Sequence, residues 1–135
     1  MGKRINSKII TVILILSLSV LAFAGCGNKG IEGTWVLVEE YEADGTKITG
    51  KELEDVGVSE TYEIKGGTVT YTLEMSSAKK PVVMEFELED LGNNTYNIRI
   101  PNSSVIFASP VLNGNTFSYY VGEDENAMKM VFRRK

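Results

Sequence analysis

The stretch TVTYTLEM, from Thr68 to Met75, decides the fold, because apolar and polar side chains alternate along it without a break. The stretch VVMEFELE, from Val82 to Glu89, repeats the alternation with Val82, Met84 and Phe86 on one side. Strict alternation over eight residues is typical of a β-strand with one buried face and one solvated face. The two stretches therefore predict neighbouring strands that share an apolar face.

Weaker copies of this alternation run through the rest of the chain and are separated by turn residues such as Gly66-Gly67 and Asn113-Gly114-Asn115. Only KELEDV, from Lys51 to Val56, has a helical pattern, and Pro110 predicts an edge or a bulge. Closing a meander removes its two unpaired edges. We therefore expect an all-β, eight-stranded antiparallel up-and-down barrel with one short helical turn after the first strand. The remaining strands are predicted at Thr34–Glu42, Ser59–Lys65, Thr95–Ile100, Val105–Leu112, Thr116–Val121 and Met128–Arg133.

The N-terminus has the features of a lipoprotein signal peptide. Three basic residues precede an apolar run from Ile9 to Ala24, which is short for a membrane span. The run ends in Ala22-Phe23-Ala24-Gly25-Cys26, which resembles a bacterial lipobox. The resemblance implies that residues 1–25 are a signal peptide, that Cys26 carries acyl chains such as palmitate, and that residues 26–32 form a short tether. An uncleaved signal anchor with an incidental Cys26 is the alternative.

Composition excludes several classes of function. The first 25 residues hold three of the 14 basic residues and none of the 18 acidic ones, so the remainder carries a net charge of −7. This balance argues against nucleic-acid binding. There is no histidine and only one cysteine, which removes Ser-His-Asp and Cys-His catalysis and the usual transition-metal ligands. We expect no enzymatic activity, no cofactor and no metal site.

The acidic segments receive ordinary structural interpretations. Glu85, Glu87 and Glu89 share one face of a predicted strand, which we interpret as the solvated outer face of the barrel. The sequence from Glu123 to Asn126 is expected to be an exposed turn, because it lacks the ligand spacing of a calcium loop.

Two short motifs lie at the ends of the predicted barrel domain, residues 33–135. The first strand contains Gly33-Thr34-Trp35-Val36-Leu37, and the last contains Met130-Val131-Phe132 followed by basic residues. With these motifs the domain resembles small lipocalin-like lipoproteins of bacteria. The resemblance implies that Gly33 and Trp35 plug one end of the barrel and that a basic residue stacks on the indole. Strand parity favours Arg134 over Arg133 for that contact.

Two interpretations of the barrel interior remain open at this point. Bulky inward residues favour a core filled by its own side chains, whereas a lipocalin-like barrel implies a cavity for a small apolar ligand. A filled core would be consistent with a protein–protein interaction module of the cell envelope. A cavity would be consistent with a ligand carrier. Either would be a monomer held at the extracytoplasmic face of a membrane by Cys26. The candidate cavity-lining residues are Tyr71, Leu73, Met84, Phe86, Tyr96, Ile98, Phe117, Tyr119 and Met130.

Overall fold

A computed structural model of the protein describes residues 30–135, which fold into a closed antiparallel β-barrel. The predicted signal peptide and Cys26 lie outside the described residues. The elements are β1 Gly33–Tyr41, β2 Lys47–Thr49, α1 Gly50–Asp55, β3 Val58–Lys65, β4 Thr68–Met75, β5 Val82–Gly92, β6 Thr95–Arg99, β7 Ile106–Ala108, β8 Val111–Asn113, β9 Thr116–Val121 and β10 Met128–Arg134.

The first and last long strands close the barrel, with Trp35 opposite Arg134 and Leu37 opposite Phe132. All other neighbours follow chain order, as a meander requires. Strands β7 and β8 lie end to end on either side of Pro110, so that together they occupy one of eight positions around the barrel. The predicted eight-stranded barrel is thereby confirmed. The three-residue strand β2 was not predicted; it pairs with the end of β1 on the same side as β3.

A bulge in β1 reverses its side-chain parity halfway along the strand. The register with β10 shifts between Leu37 and Glu39, so Glu39 lies opposite Val131 and Glu40 lies opposite Met130. An extra residue in one strand of an antiparallel pair produces this local reversal. Glu39 therefore faces outward, where its carboxylate pairs with Lys47 at 3.3 Å, and Glu40 follows the inward face of the barrel.

Helix α1 begins at a capping box. The Thr49 backbone N–H donates to Glu52 Oε2 at 2.6 Å, and the Glu52 N–H donates to Thr49 Oγ1 at 3.2 Å. These bonds satisfy donors that a helix start leaves unpaired. The helix packs Leu53 against the barrel core and contacts β1, β2 and β3. It matches the predicted helical turn within one residue, and no helix within residues 30–135 is long and apolar enough to cross a bilayer.

The close approach of α1 to β1 depends on Gly50, which is buried. A Cβ at this position would overlap the Leu37 carbonyl oxygen and lie 3.1 Å from Val38 Cα, both of which are backbone atoms that cannot rotate away. We expect Gly50→Ala to lower the free energy of unfolding by about 1–3 kcal/mol, the usual cost of overpacking. Urea denaturation measures the loss. Lys51→Ala is the comparison at an exposed position of the same helix, and an equal loss in both variants would contradict the steric explanation.

Candidate functional site

One end of the barrel is plugged by Trp35. Its side chain is fully buried, and its Nε1–H donates to the Ile31 carbonyl at 2.8 Å. The Arg134 guanidinium lies 4.4 Å from the centre of the indole ring and donates to the carbonyls of Gly30 and Glu32. A cation over an indole face is stabilised by the ring quadrupole. The structure thus brings Gly33, Trp35 and Arg134 together, whereas Arg133 is exposed on the outer face.

The residues just before β1 belong to the folded domain and not to a free tether. Ile31 is only 2% exposed and packs in the core beside Trp35. Arg134 fixes the backbone on both sides of it through Gly30 and Glu32. The domain therefore begins at or before Gly30, three residues earlier than the sequence analysis placed it.

The half of the interior next to this plug is filled by aromatic side chains. Tyr62, Phe117 and Phe132 are fully buried, with ring centroids 4.9 to 5.6 Å apart. The Tyr62 and Tyr119 hydroxyls share a hydrogen bond of 2.8 Å, which satisfies both groups away from water. Burial raises the pKa of Tyr119 to about 12 and that of Tyr62 further still. This half of the barrel is a packed core and contains neutral phenols.

The other half of the interior is open to solvent. Val82 and Met84 lie opposite Leu73 and Tyr71, so all four follow the inward face. Phe107 joins them, because its ring stacks on buried Phe86 at 4.4 Å. Yet Met84 is 37% exposed, Val82 41% and Phe107 42%, while Leu73 is half-buried. We call this region the open cup and define it by Glu40, Glu60, Leu73, Val82, Met84 and Phe107.

A gap in the strand ladder leads into the open cup from the side. Pairing between β5 and β6 begins at Glu87 and Arg99, so within the described residues the segment from Val82 to Phe86 has a ladder only with β4. The Phe86–Phe107 ring stack bridges this gap in place of backbone hydrogen bonds. One side of the cup is therefore closed by side chains and not by a β-ladder.

The opposite wall of the open cup is acidic. Glu60 follows the inward face of β3 with Tyr62 and Ile64 and lies opposite Leu73. Burial raises the pKa of the Glu60 carboxyl, and its contact with the Tyr71 hydroxyl opposes that shift. Burial also raises the pKa of Glu40, with smaller contributions from the charges of Glu42 and Glu60. The cup therefore combines apolar side chains on one wall with two partly buried carboxyl groups on the other.

At its rim the cup adjoins a surface depression of about 420 Å³. The depression lies between the end of α1 and the turn that joins β4 to β5, and its lining includes Glu54, Val58, Met75 and Lys79. Val58 and Met75 are paired and come one inward position beyond Glu60 and Leu73. The depression therefore adjoins the cup without being part of it.

The sequence-predicted lining residues fall into three groups. Leu73 and Met84 line the open cup. Tyr71 is buried next to it, and its hydroxyl lies near the Glu60 carboxyl group. Tyr96 lies at the plugged end, where its hydroxyl is 3.4 Å from the Cβ position of Gly30, so it does not line the open cup. The others are buried core residues, at 0 to 6% exposure: Phe86, Ile98, Phe117, Tyr119 and Met130.

Sequence reasoning missed four residues of the cup, and the signal was present for two of them. The alternation that places Tyr62 and Ile64 inside also places Glu60 inside. Val82 shares the parity of Met84. Glu40 was hidden by the bulge in β1, and Phe107 by the register irregularity between β6 and β7. Alternation assigns inward and outward side chains only within a regularly paired stretch. The position of each irregularity must be known before the assignment can be extended past it.

The acidic segments on the outside are solvated, with one exception. Glu85, Glu87 and the turn from Glu123 to Asn126 are exposed, whereas Glu89 is half-buried in an ion pair with Arg99. In the part of the chain that the structure describes, no group of three or more Cys, Asp or Glu side chains is arranged to hold a metal ion.

Neither a family model nor a curated protein matches the sequence. Among solved structures, the fold is similar to Echinococcus granulosus fatty-acid-binding protein 1, with a TM-score of 0.48 and 15% identity over 79% of this chain and 98% of that one. It is also similar to human cRBP IV, with a TM-score of 0.45 and 14% identity over 80% of this chain and all of that one. At these identities the likeness concerns the course of the backbone alone.

Proposed function

We propose that the chain is a lipocalin-like lipoprotein that binds a small apolar ligand in the open cup. The observation that carries this proposal is the exposure of inward-facing apolar side chains. Val82, Met84 and Phe107 are 37 to 42% exposed, although the inward positions of the other half are closed to water. Covering exposed apolar surface is favourable by about 25 cal/mol per Å². A ligand bound here would cover these side chains and bury them, as the inward side chains of the other half are already buried.

The proposal includes the membrane anchor. A signal peptide of residues 1–25 and an acylated Cys26 would hold the domain at the extracytoplasmic face of a cell membrane, where apolar small molecules partition. The protein would act as a monomer and without catalysis, since its candidate site offers carboxyl and phenol groups but no histidine or thiol.

A second candidate function is supported by the outer face. Val105, Ile106 and Val111 are about half exposed and lie just before β7, in β7 and in β8, which follow one another along the same position of the barrel. Scattered exposed apolar residues are common, but a group of them is a feature of protein interfaces. An envelope protein docked on this face would leave the cup unoccupied, so ligand binding distinguishes the two functions.

Ligand binding is tested on residues 27–135, which contain the whole closed barrel, by displacement of an apolar fluorescent dye and by native mass spectrometry. We expect displacement by apolar molecules and at least a tenfold weaker affinity in Met84→Asp, because an unpaired charge would be placed on the apolar wall. Val83→Asp is the matched control, since Val83 is the next residue on the same strand, faces outward and is 56% exposed. Absence of dye binding by the wild-type domain would refute the carrier function.

A further inference from the structure

The open cup contains acidic side chains but no basic ones. Glu40 and Glu60 occupy inward positions on β1 and β3, and Glu40 lies opposite Met130. Within residues 30–135, the basic side chains on the strands face outward, with one exception. That exception, Arg134, is at the far end over Trp35. The charged side chains that define the cup are therefore all acidic, and they lie beside its apolar wall.

These two carboxylates have no cationic counterpart within residues 30–135. The ion pairs there join Glu39 to Lys47 and Glu89 to Arg99, both on the outer face. Glu60 instead contacts the Tyr71 hydroxyl, and Glu40 experiences the repulsion of Glu42 and Glu60. Partial burial of carboxylates without a counter-ion is unfavourable and is relieved by a cation brought into the same site.

We infer that the ligand of the open cup is a small amphiphile with a cationic, ammonium-type polar end. This inference rests on the proposed binding function and adds the chemical class of the ligand. The ammonium group would lie against Glu60 and Glu40, and the apolar part would cover Val82, Met84 and Phe107.

The aromatic side chains of the cup fit the same ligand. The Tyr71 and Phe107 rings pack against each other, with 6.0 Å between their centroids. A cation within about 6 Å of an aromatic face is attracted by it, so an ammonium group bound beside this pair would gain from the rings as well as from the carboxylates. A carboxylate-headed amphiphile would meet repulsion from Glu60 and Glu40 in the same place, with no inward cation to offset it.

The depth of the cup limits the length of the ligand. Met75, at the rim, lies four positions along β4 from Tyr71, at the boundary of the packed core. At about 3.3 Å per residue this is about 13 Å along the strand, which a strand tilt of about 40° reduces to a depth of about 10 Å. A tail of about ten carbons spans that distance, so decyl compounds are suitable probes.

The test compares decylamine, decanol and decanoate, which share one tail, at pH 8 and below the concentrations at which they form micelles. Affinities are measured by dye displacement on residues 27–135. We expect decylamine to bind about tenfold more tightly than decanol and decanoate to bind most weakly. Glu60→Gln is expected to reduce decylamine affinity about tenfold and decanol affinity by less than twofold, so the preference for decylamine over decanol should disappear. Glu63→Gln, the matched control, lies on the same strand, is exposed and faces outward, and should change neither.

The outcomes separate this inference from the function on which it rests. If none of the three compounds binds, the carrier function itself fails. If they bind but decanoate or decanol binds as tightly as decylamine, binding stands and the cationic class is overturned. Circular dichroism checks the fold of each variant. Should Glu60→Gln not fold, Glu40→Gln takes its place, and the wild-type series alone still decides the preference.

Discussion

Replacing Trp35 by alanine is expected to lower the free energy of unfolding by about 3–5 kcal/mol, which is the range for removing a large aromatic side chain from a core. The expectation rests on complete burial of the indole and on its edge-to-face contact with Phe117, with centroids 4.8 Å apart. The hydrogen bond to the Ile31 carbonyl and the stacking of Arg134 would be lost as well. These contacts join β1, β9, β10 and the segment before β1, so the loss affects closure of the barrel.

Urea denaturation followed by circular dichroism measures the change. Tyr120→Ala is the matched control, because it removes an aromatic side chain from β9 that is 67% exposed, and it should cost less than about 0.5 kcal/mol. A loss below about 1 kcal/mol in Trp35→Ala would show that the plug does not stabilise the barrel. A plug with only a ligand-binding role would instead change dye affinity and leave the denaturation midpoint in place.

Much of the fold could be predicted from the sequence because side-chain alternation with a period of two specifies strands directly. The stretches from Thr68 to Met75 and from Val82 to Glu89 alternate strictly, and both lie within observed strands. Closure was expected because it removes the two unpaired edges of a meander, and the pairing of β1 with β10, with Trp35 opposite Arg134, achieves it. The predicted strand is interrupted at Pro110, as expected because proline has no N–H to donate to a neighbouring strand.

The candidate site was harder to predict because it depends on two departures from regular pairing. The bulge near Val38 turns Glu40 inward, and the irregular register near Arg99 allows Phe107 to reach Phe86. Neither departure has a glycine or another local signal in the sequence. Side-chain size explains the division of the barrel: Trp35 and Phe117 fill one half, and the inward positions beyond Tyr71 are occupied by smaller or flexible residues.

The expected result for Cys26→Ala is transfer of the protein from the membrane fraction to the soluble or unprocessed fraction. Each buried CH₂ of an acyl chain contributes about 0.8 kcal/mol to membrane binding, so two or more chains anchor a protein stably. Only Gly27, Asn28 and Lys29 separate Cys26 from Gly30, whose carbonyl is bound by Arg134. The four Cα–Cα steps from Cys26 to Gly30 span at most about 14 Å. The proposed anchor would therefore hold the plugged end near the bilayer and direct the open cup away from it.

Fractionation of cells followed by intact-mass measurement checks this expectation, since acylation and removal of residues 1–25 both change the mass of the extracted protein. Gly25→Ala is the matched control: it keeps a small residue before the cysteine, so membrane association should be retained. If Cys26→Ala remains in the membrane at full length, the apolar run from Ile9 to Ala24 is an uncleaved anchor. The cup would then keep its proposed ligand, but the chain between the membrane and the plugged end would still be short, because Ala24 is only six residues from Gly30. The outward direction of the cup thus follows from entry of the chain at the plugged end, whichever anchor holds it.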